Sequence, residues 1–136
     1  MGPLDKFMLP DNALYASPTG CGLSLRSHWY RSLPLSSIAI LTVTIDGADV
    51  PAEHLKLAVN GARHPLAALA ALHDEWWFIQ DAANLTIELP QPLAVDSQHE
   101  VTLELGLLLP YILVGPNAEP LLSSSRVTKT LRCHLL

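Results

Sequence analysis

Six histidines, thirteen carboxylates and two cysteines are the groups in this 136-residue chain that could do chemistry. Their spacing decides which chemistry is open to them. A transition-metal site gathers three or four ligands, and on one strand or helix they recur as HxH, HxxxH or HExxH. His28, His54, His64, His73, His99 and His134 show none of these spacings, and each falls in a different expected element. They read as surface or strand-end residues. His73-Asp74-Glu75 is the densest polar cluster, but it follows a short apolar helix, where polar residues belong anyway. No Gly-x-Ser-x-Gly elbow and no glycine-rich phosphate loop is present. Cys133 has Arg132 and His134 beside it, but in a strand those neighbours point to the opposite face and leave its thiol unactivated. Glu104 is the one carboxylate in an apolar run, and on an outward strand face it is simply solvated. No catalytic cluster, metal site or cofactor is therefore expected in this chain.

Recognition is a different matter. His28-Trp29-Tyr30-Arg31-Ser32-Leu33-Pro34-Leu35-Ser36 sets two aromatics and an arginine on a loop stiffened by proline. Trp, Tyr and Arg are the side chains most enriched at binding hot spots. The competing reading is a core anchor, with the aromatics holding a crossover and Arg31 paired to an acid. Composition alone weighs the two equally. Trp76-Trp77 lies in an expected strand, so one ring faces inward and the other is expected to lie under the short helix.

The elements that position these residues are nearly all strands. The first ten residues read as a loosely held lead-in. Cys21–His28 alternates Leu23 and Leu25 with Ser24 and Arg26, the two-residue period of a half-buried strand. Ile38–Ile45 is β-branched and apolar on both faces at its start, as a central strand is. Asp46-Gly47 and Asn60-Gly61 are hairpin dipeptides, so Ala48–Val50 is read as a return arm and Leu55–Val59 as a further strand. Pro65 suits the first position of a helix over Leu66–Leu72. Trp76–Ile79, Leu85–Leu89, Val101–Leu109 and Arg126–Cys133 complete the set, with Val101, Leu103, Leu105, Leu107 and Leu109 on one face. Seven or eight short strands with one short helix predict a single all-β domain spanning the chain. The expected architecture is an antiparallel β-sandwich of immunoglobulin or fibronectin type.

Composition bounds the partners. The net charge of −5 and the scatter of eight Lys and Arg residues exclude the basic stripe that nucleic acid or an acidic membrane requires. Only 15% of residues are charged, against about 25% in an average domain, so part of the surface is expected to be covered by another chain. The first ten residues lack the apolar core of an export signal, and no stretch has the roughly 20 apolar residues of a membrane helix. The expected location is the cytoplasm. Cys21 and Cys133 read there as buried thiols, with a bridge as the alternative if the first and last strands are neighbours.

Several short runs then fall into a familiar order. Tyr30-Arg31-Ser32-Leu33-Pro34-Leu35-Ser36 is followed by Val43-Thr44-Ile45-Asp46-Gly47, by Gly61 and Leu66, by Trp77-Phe78, by Ala83 and Leu85, and by His99-Glu100-Val101. Over Gly22–Leu109 the chain resembles the small beta subunit of C-glycoside deglycosidases. Ser32 stands where that pattern has glycine, and Leu107–Ser125 matches poorly. The resemblance implies an accessory subunit of a lyase. Its partner would be a larger catalytic alpha subunit, a sugar-phosphate isomerase/epimerase-like barrel holding a divalent metal such as manganese. That subunit would cleave 3-oxo-C-glycosides by elimination, after proton removal beside the ketone. On this reading His28, Trp29, Tyr30, Arg31, Leu33 and Pro34 form the subunit interface. The rival is a stand-alone sandwich module that binds carbohydrate or protein.

Overall fold

The computed structural model describes residues 8–29, 31–78 and 81–135. Eleven strands are formed among them: β1 (Leu14–Ser17), β2 (Gly20–Leu25), β3 (Leu33–Pro34), β4 (Ile38–Ile45), β5 (Ala48–Asp49), β6 (Leu55–Val59), β7 (Ala62–Pro65), β8 (Trp76–Trp77), β9 (Ala83–Glu88), β10 (Gln98–Val114) and β11 (Glu119–Arg132). One sheet has the order β1-β2-β9-β6-β7, the second β11-β10-β4-β5, and β3 pairs with β8 as a small separate ribbon. All strand pairings are antiparallel. The fold is the expected antiparallel β-sandwich.

Alternation builds its core. In the five-stranded sheet, Leu14, Leu23, Leu85 and Leu57 lie side by side across four strands, and all four are buried. In the four-stranded sheet, Leu103 stands between Val43 and Val127, and Val101 beside Ile45. Val101, Leu103, Leu105, Leu107 and Leu109 are buried along one face of β10, as their spacing predicts. Thr102 and Glu104 lie on the opposite face, where Glu104 is opposite Thr42 and Arg126.

Both dipeptide turns form as read. Asp46 and Gly47 have φ of 51° and 83°, and Asn60 and Gly61 have 55° and 80°. Two consecutive positive φ values match the strand twist, and Asp, Asn and Gly adopt them readily. The short helix is present as a 3-10 segment over Leu66–Ala71, with Pro65 at its cap and not within its first turn.

Four expectations are corrected. Met8 and Leu9 are fully buried, so the end of the lead-in belongs to the core; residues 1–7 lie outside the described residues. β1, β3 and β7 form where no strand is expected. β1 and β7 are the two edges of the large sheet, and Pro65 can close β7 because an edge strand tolerates a missing donor. Strand β10 runs past the expected Val101–Leu109 at both ends, and β11 begins at Glu119 instead of Arg126 and stops at Arg132, before Cys133. Finally, Trp77 is the inward ring and donates its indole N–H to the Asp81 carbonyl at 2.9 Å, but Trp76 is 41% exposed and not under the helix.

Cys21 and Cys133 are both free and buried. Burial pushes the Cys21 thiol up to about 12, with the nearby Cys133 acting in the same direction. Burial likewise raises the Cys133 thiol, so both are held as thiols and away from the reactive thiolate. Among the described residues no helix is long and apolar enough to cross a membrane.

Candidate functional site

The loop between β2 and β3 and the far end of the β10–β11 hairpin come together at one end of the sandwich. The register explains why. β4 pairs with β10 only from Val101 to Leu107, whereas β10 continues to Val114 and returns through β11. Leu108–Val114 and Glu119–Leu122 therefore extend as a two-stranded arm. Near-continuous apolar residues carry the strand past Pro110, which sits within an irregularity of the ladder between Leu109 and Leu113.

The loop is fastened to this arm by side chains. The buried ring of His28 donates from Nε2 to the Ser123 carbonyl at 3.1 Å. The Trp29 indole N–H donates to the Tyr111 hydroxyl. The Arg31 guanidinium lies over the Tyr111 ring, 4.4 Å from its centroid, where a cation meets the negative face of the π-system. Leu33 is buried opposite Trp77, and Pro34 is half-buried opposite Trp76. Tyr30 lies outside the described residues. The expected site residues thus divide. His28 and Leu33 are taken up inside the domain, while Arg31 and the partly buried Trp29 and Pro34 offer surface.

The arm itself was not singled out by sequence. Tyr111, Leu113, Val114 and Leu122 are 41%, 57%, 42% and 46% exposed. The unbroken absence of charge from Leu105 to Ala118 is the signal that would have found it.

A second constellation also escaped the sequence. Ser97 Oγ lies 2.7 Å from His99 Nε2, and His99 Nδ1 lies 2.6 Å from Asp46 Oδ2. The order is that of a hydrolytic triad, but the proton is in the wrong place. The Ser97 hydroxyl donates to the Ala94 carbonyl at 2.5 Å, so it is not presented to His99 for removal. The hollow of about 560 Å³ between Ile45–Pro51 and Glu88–Leu93 does not include Ser97 or His99. The group is a clasp that ties the β4–β5 turn to the start of β10, and the Glu100 amide donates to Asp46 Oδ1 at 2.9 Å.

This clasp titrates. The His99 hydrogen bond, then that of the Glu100 amide, holds the Asp46 carboxyl below the usual carboxylate range. A carboxyl lowered on folding adds stability above its unfolded value, near 4, and loses it as pH falls through the folded value. Asp46→Asn keeps the turn and an acceptor for the amide but removes the charge. Wild type is expected to lose stability more steeply than Asp46→Asn between pH 5 and pH 3. The difference should stay under about 1 kcal/mol, because the carboxylate is half exposed and screened. Parallel stability curves in acid denaturation would refute it.

Among the described residues no three His, Cys, Asp or Glu side chains gather as metal ligands. Fold and site together define a small β-sandwich that presents an aromatic and apolar end surface. Residues 12–111 match the profile of the family described as C-glycoside deglycosidase beta subunit. A C-glycoside deglycosidase beta subunit of Microbacterium trichothecenolyticum is 38% identical over 130 residues, covering 92% of this chain and 97% of its own length. A 3'-dehydrocarminate deglycosidase beta subunit of a Microbacterium species is 36% identical, covering 79% and 80%. A C-glycoside deglycosidase beta subunit of Arthrobacter globiformis is 36% identical, covering 67% and 69%. The chain belongs to the C-glycoside deglycosidase beta subunit family.

Proposed function

We propose that this chain is the accessory subunit of a heteromeric C-glycoside deglycosidase. Family membership carries the reading. The chemistry falls to a larger alpha subunit, a metal-dependent barrel that breaks the carbon–carbon bond of a 3-oxo-C-glycoside by elimination. The divalent metal, manganese in the simplest case, belongs to that partner. This chain supports the complex from the cytoplasm, where Cys21 and Cys133 stay reduced. Its interface includes the His28–Pro34 loop, with Arg31, Trp29 and Pro34 as the contacting side chains and His28 and Leu33 as their internal supports.

A stand-alone carbohydrate module fits less well. Sugar-binding sandwiches stack pyranose rings on open aromatic faces, and here Arg31 already covers a face of Tyr111. The purified chain alone is expected to turn over no 3-oxo-C-glycoside, with or without added manganese. Mixed with its alpha subunit, cleavage should appear, followed as release of the aromatic aglycone. Turnover by the single chain would overturn the reading.

A further inference from the structure

We propose that the β10–β11 arm is the surface on which the catalytic subunit docks. The inference rests on the accessory-subunit reading and names the element that makes the contact. Chain composition is the first argument. From Leu105 to Ala118 there is no charged residue, and the arm's one charge is Glu119 at its tip, although natural proteins usually guard long exposed strands with several charges or a covering element.

The second argument is architectural. Beyond Leu107 the arm has lost the support of β4 and stands as two strands. Its inner face carries Leu109 and Leu121, its outer face Leu108 and Leu122, with Leu113 and Val114 exposed at the tip. A two-stranded ribbon is marginal in water by itself, and one that is apolar on both faces is built for cover on both. The loop covers part of one side through His28, Trp29 and Arg31. Leu109 is buried and Leu121 packs on the core, while Tyr111, Leu113, Val114 and Leu122 stay exposed.

Third, the surface is ordered before binding. Tyr111 is held by the Trp29 indole and beneath the Arg31 guanidinium, so little side-chain freedom remains to be lost. β3 leads from Arg31 into its pairing with β8, which sets the exposed Trp76 and Phe78 at the same end.

The occupant is the partner subunit that membership of a beta-subunit family implies. The Lys129 side chain binds the Leu9 carbonyl at 2.9 Å and Asp11 at 2.8 Å, and His28 engages the Ser123 carbonyl of β11, so β11 is tied to the N-terminal segment and to the loop. Docking proceeds through the apolar side chains of the arm.

The test uses Leu113→Asp and Leu122→Asp, with Val95→Asp as a control on an exposed apolar residue away from the arm. Each full-length variant is titrated against the alpha subunit from the same source by calorimetry or surface capture. Each is also melted alone and sized by light scattering. The arm variants are expected to bind about 10- to 100-fold more weakly, the range of one hot-spot side chain, with unchanged melting of the lone chain. Val95→Asp should bind as wild type. Unchanged binding by both arm variants, while the wild-type complex forms, would overturn the docking proposal and leave the subunit reading standing. So would a wild-type dimer that the arm variants dissociate without effect on alpha-subunit binding. Failure of the unaltered chain to form any complex would overturn the subunit reading, and the arm proposal with it.

Discussion

Leu103→Ala is expected to destabilise the isolated domain by about 3–5 kcal/mol, the upper part of the range for a buried leucine truncated to alanine. Leu103 is fully buried at the middle of β10. Its neighbours on either side, Val43 on β4 and Val127 on β11, are held by ladders that run on in both directions. Strands locked into two ladders cannot close over a lost side chain, so most of the cavity persists. Domains have about 5–15 kcal/mol of stability to lose, so this one change threatens folding at physiological temperature. Leu113→Ala on the exposed arm removes the same atoms and should change stability by less than about 0.5 kcal/mol. Urea unfolding of the two variants and wild type measures both numbers. A loss below 1 kcal/mol for Leu103→Ala would mean that the sheets do not close over β10.

What the sequence disclosed follows from how local each determinant is. Asp46-Gly47 and Asn60-Gly61 could be read because positive φ is a property of those residues themselves. The inward face of β10 could be read because alternation over Val101–Leu109 is long and unbroken. β1, β3 and β7 could not. They are two to four residues long and owe their shape to the backbone of a neighbour, with Ala62-Arg63-His64-Pro65 lacking any apolar period.

The site was half legible for the same reason. Composition marked the His28–Pro34 loop, but which of its side chains face inward is set by residues 82 to 95 positions away, Tyr111 and Ser123. Pro110 made Leu109 look like a strand end. The irregular register between Leu109 and Leu113 lets the strand pass through it, which conceals the arm from any local reading. The Asp46–His99 clasp joins residues 53 apart and leaves no periodic trace.

Arg31→Ala and His28→Ala are expected to fail in opposite ways, and together they separate contact from support within one loop. Arg31 is exposed, and its guanidinium packs on the Tyr111 ring. Truncation exposes Tyr111 and removes a charged hot-spot side chain from the proposed interface, so assembly with the catalytic subunit should weaken by about 1–3 kcal/mol. The lone domain should melt almost unchanged, since an exposed cation–π contact contributes only about 0.5–1 kcal/mol. His28 is 3% exposed and supplies the hydrogen bond that satisfies the Ser123 carbonyl. His28→Ala leaves a void and removes the hydrogen bond to the half-buried Ser123 carbonyl, a loss of about 2–4 kcal/mol. At roughly 3–5 °C per kcal/mol for a domain of this size, the lone chain should melt 6 °C or more below wild type, with its folded fraction still binding the partner. Thermal melts of the isolated variants, set beside their affinities for the alpha subunit, read both effects at once. If Arg31→Ala lowers the melt as far as His28→Ala and leaves affinity intact, the whole loop is a core anchor. The interface must then lie elsewhere on the chain.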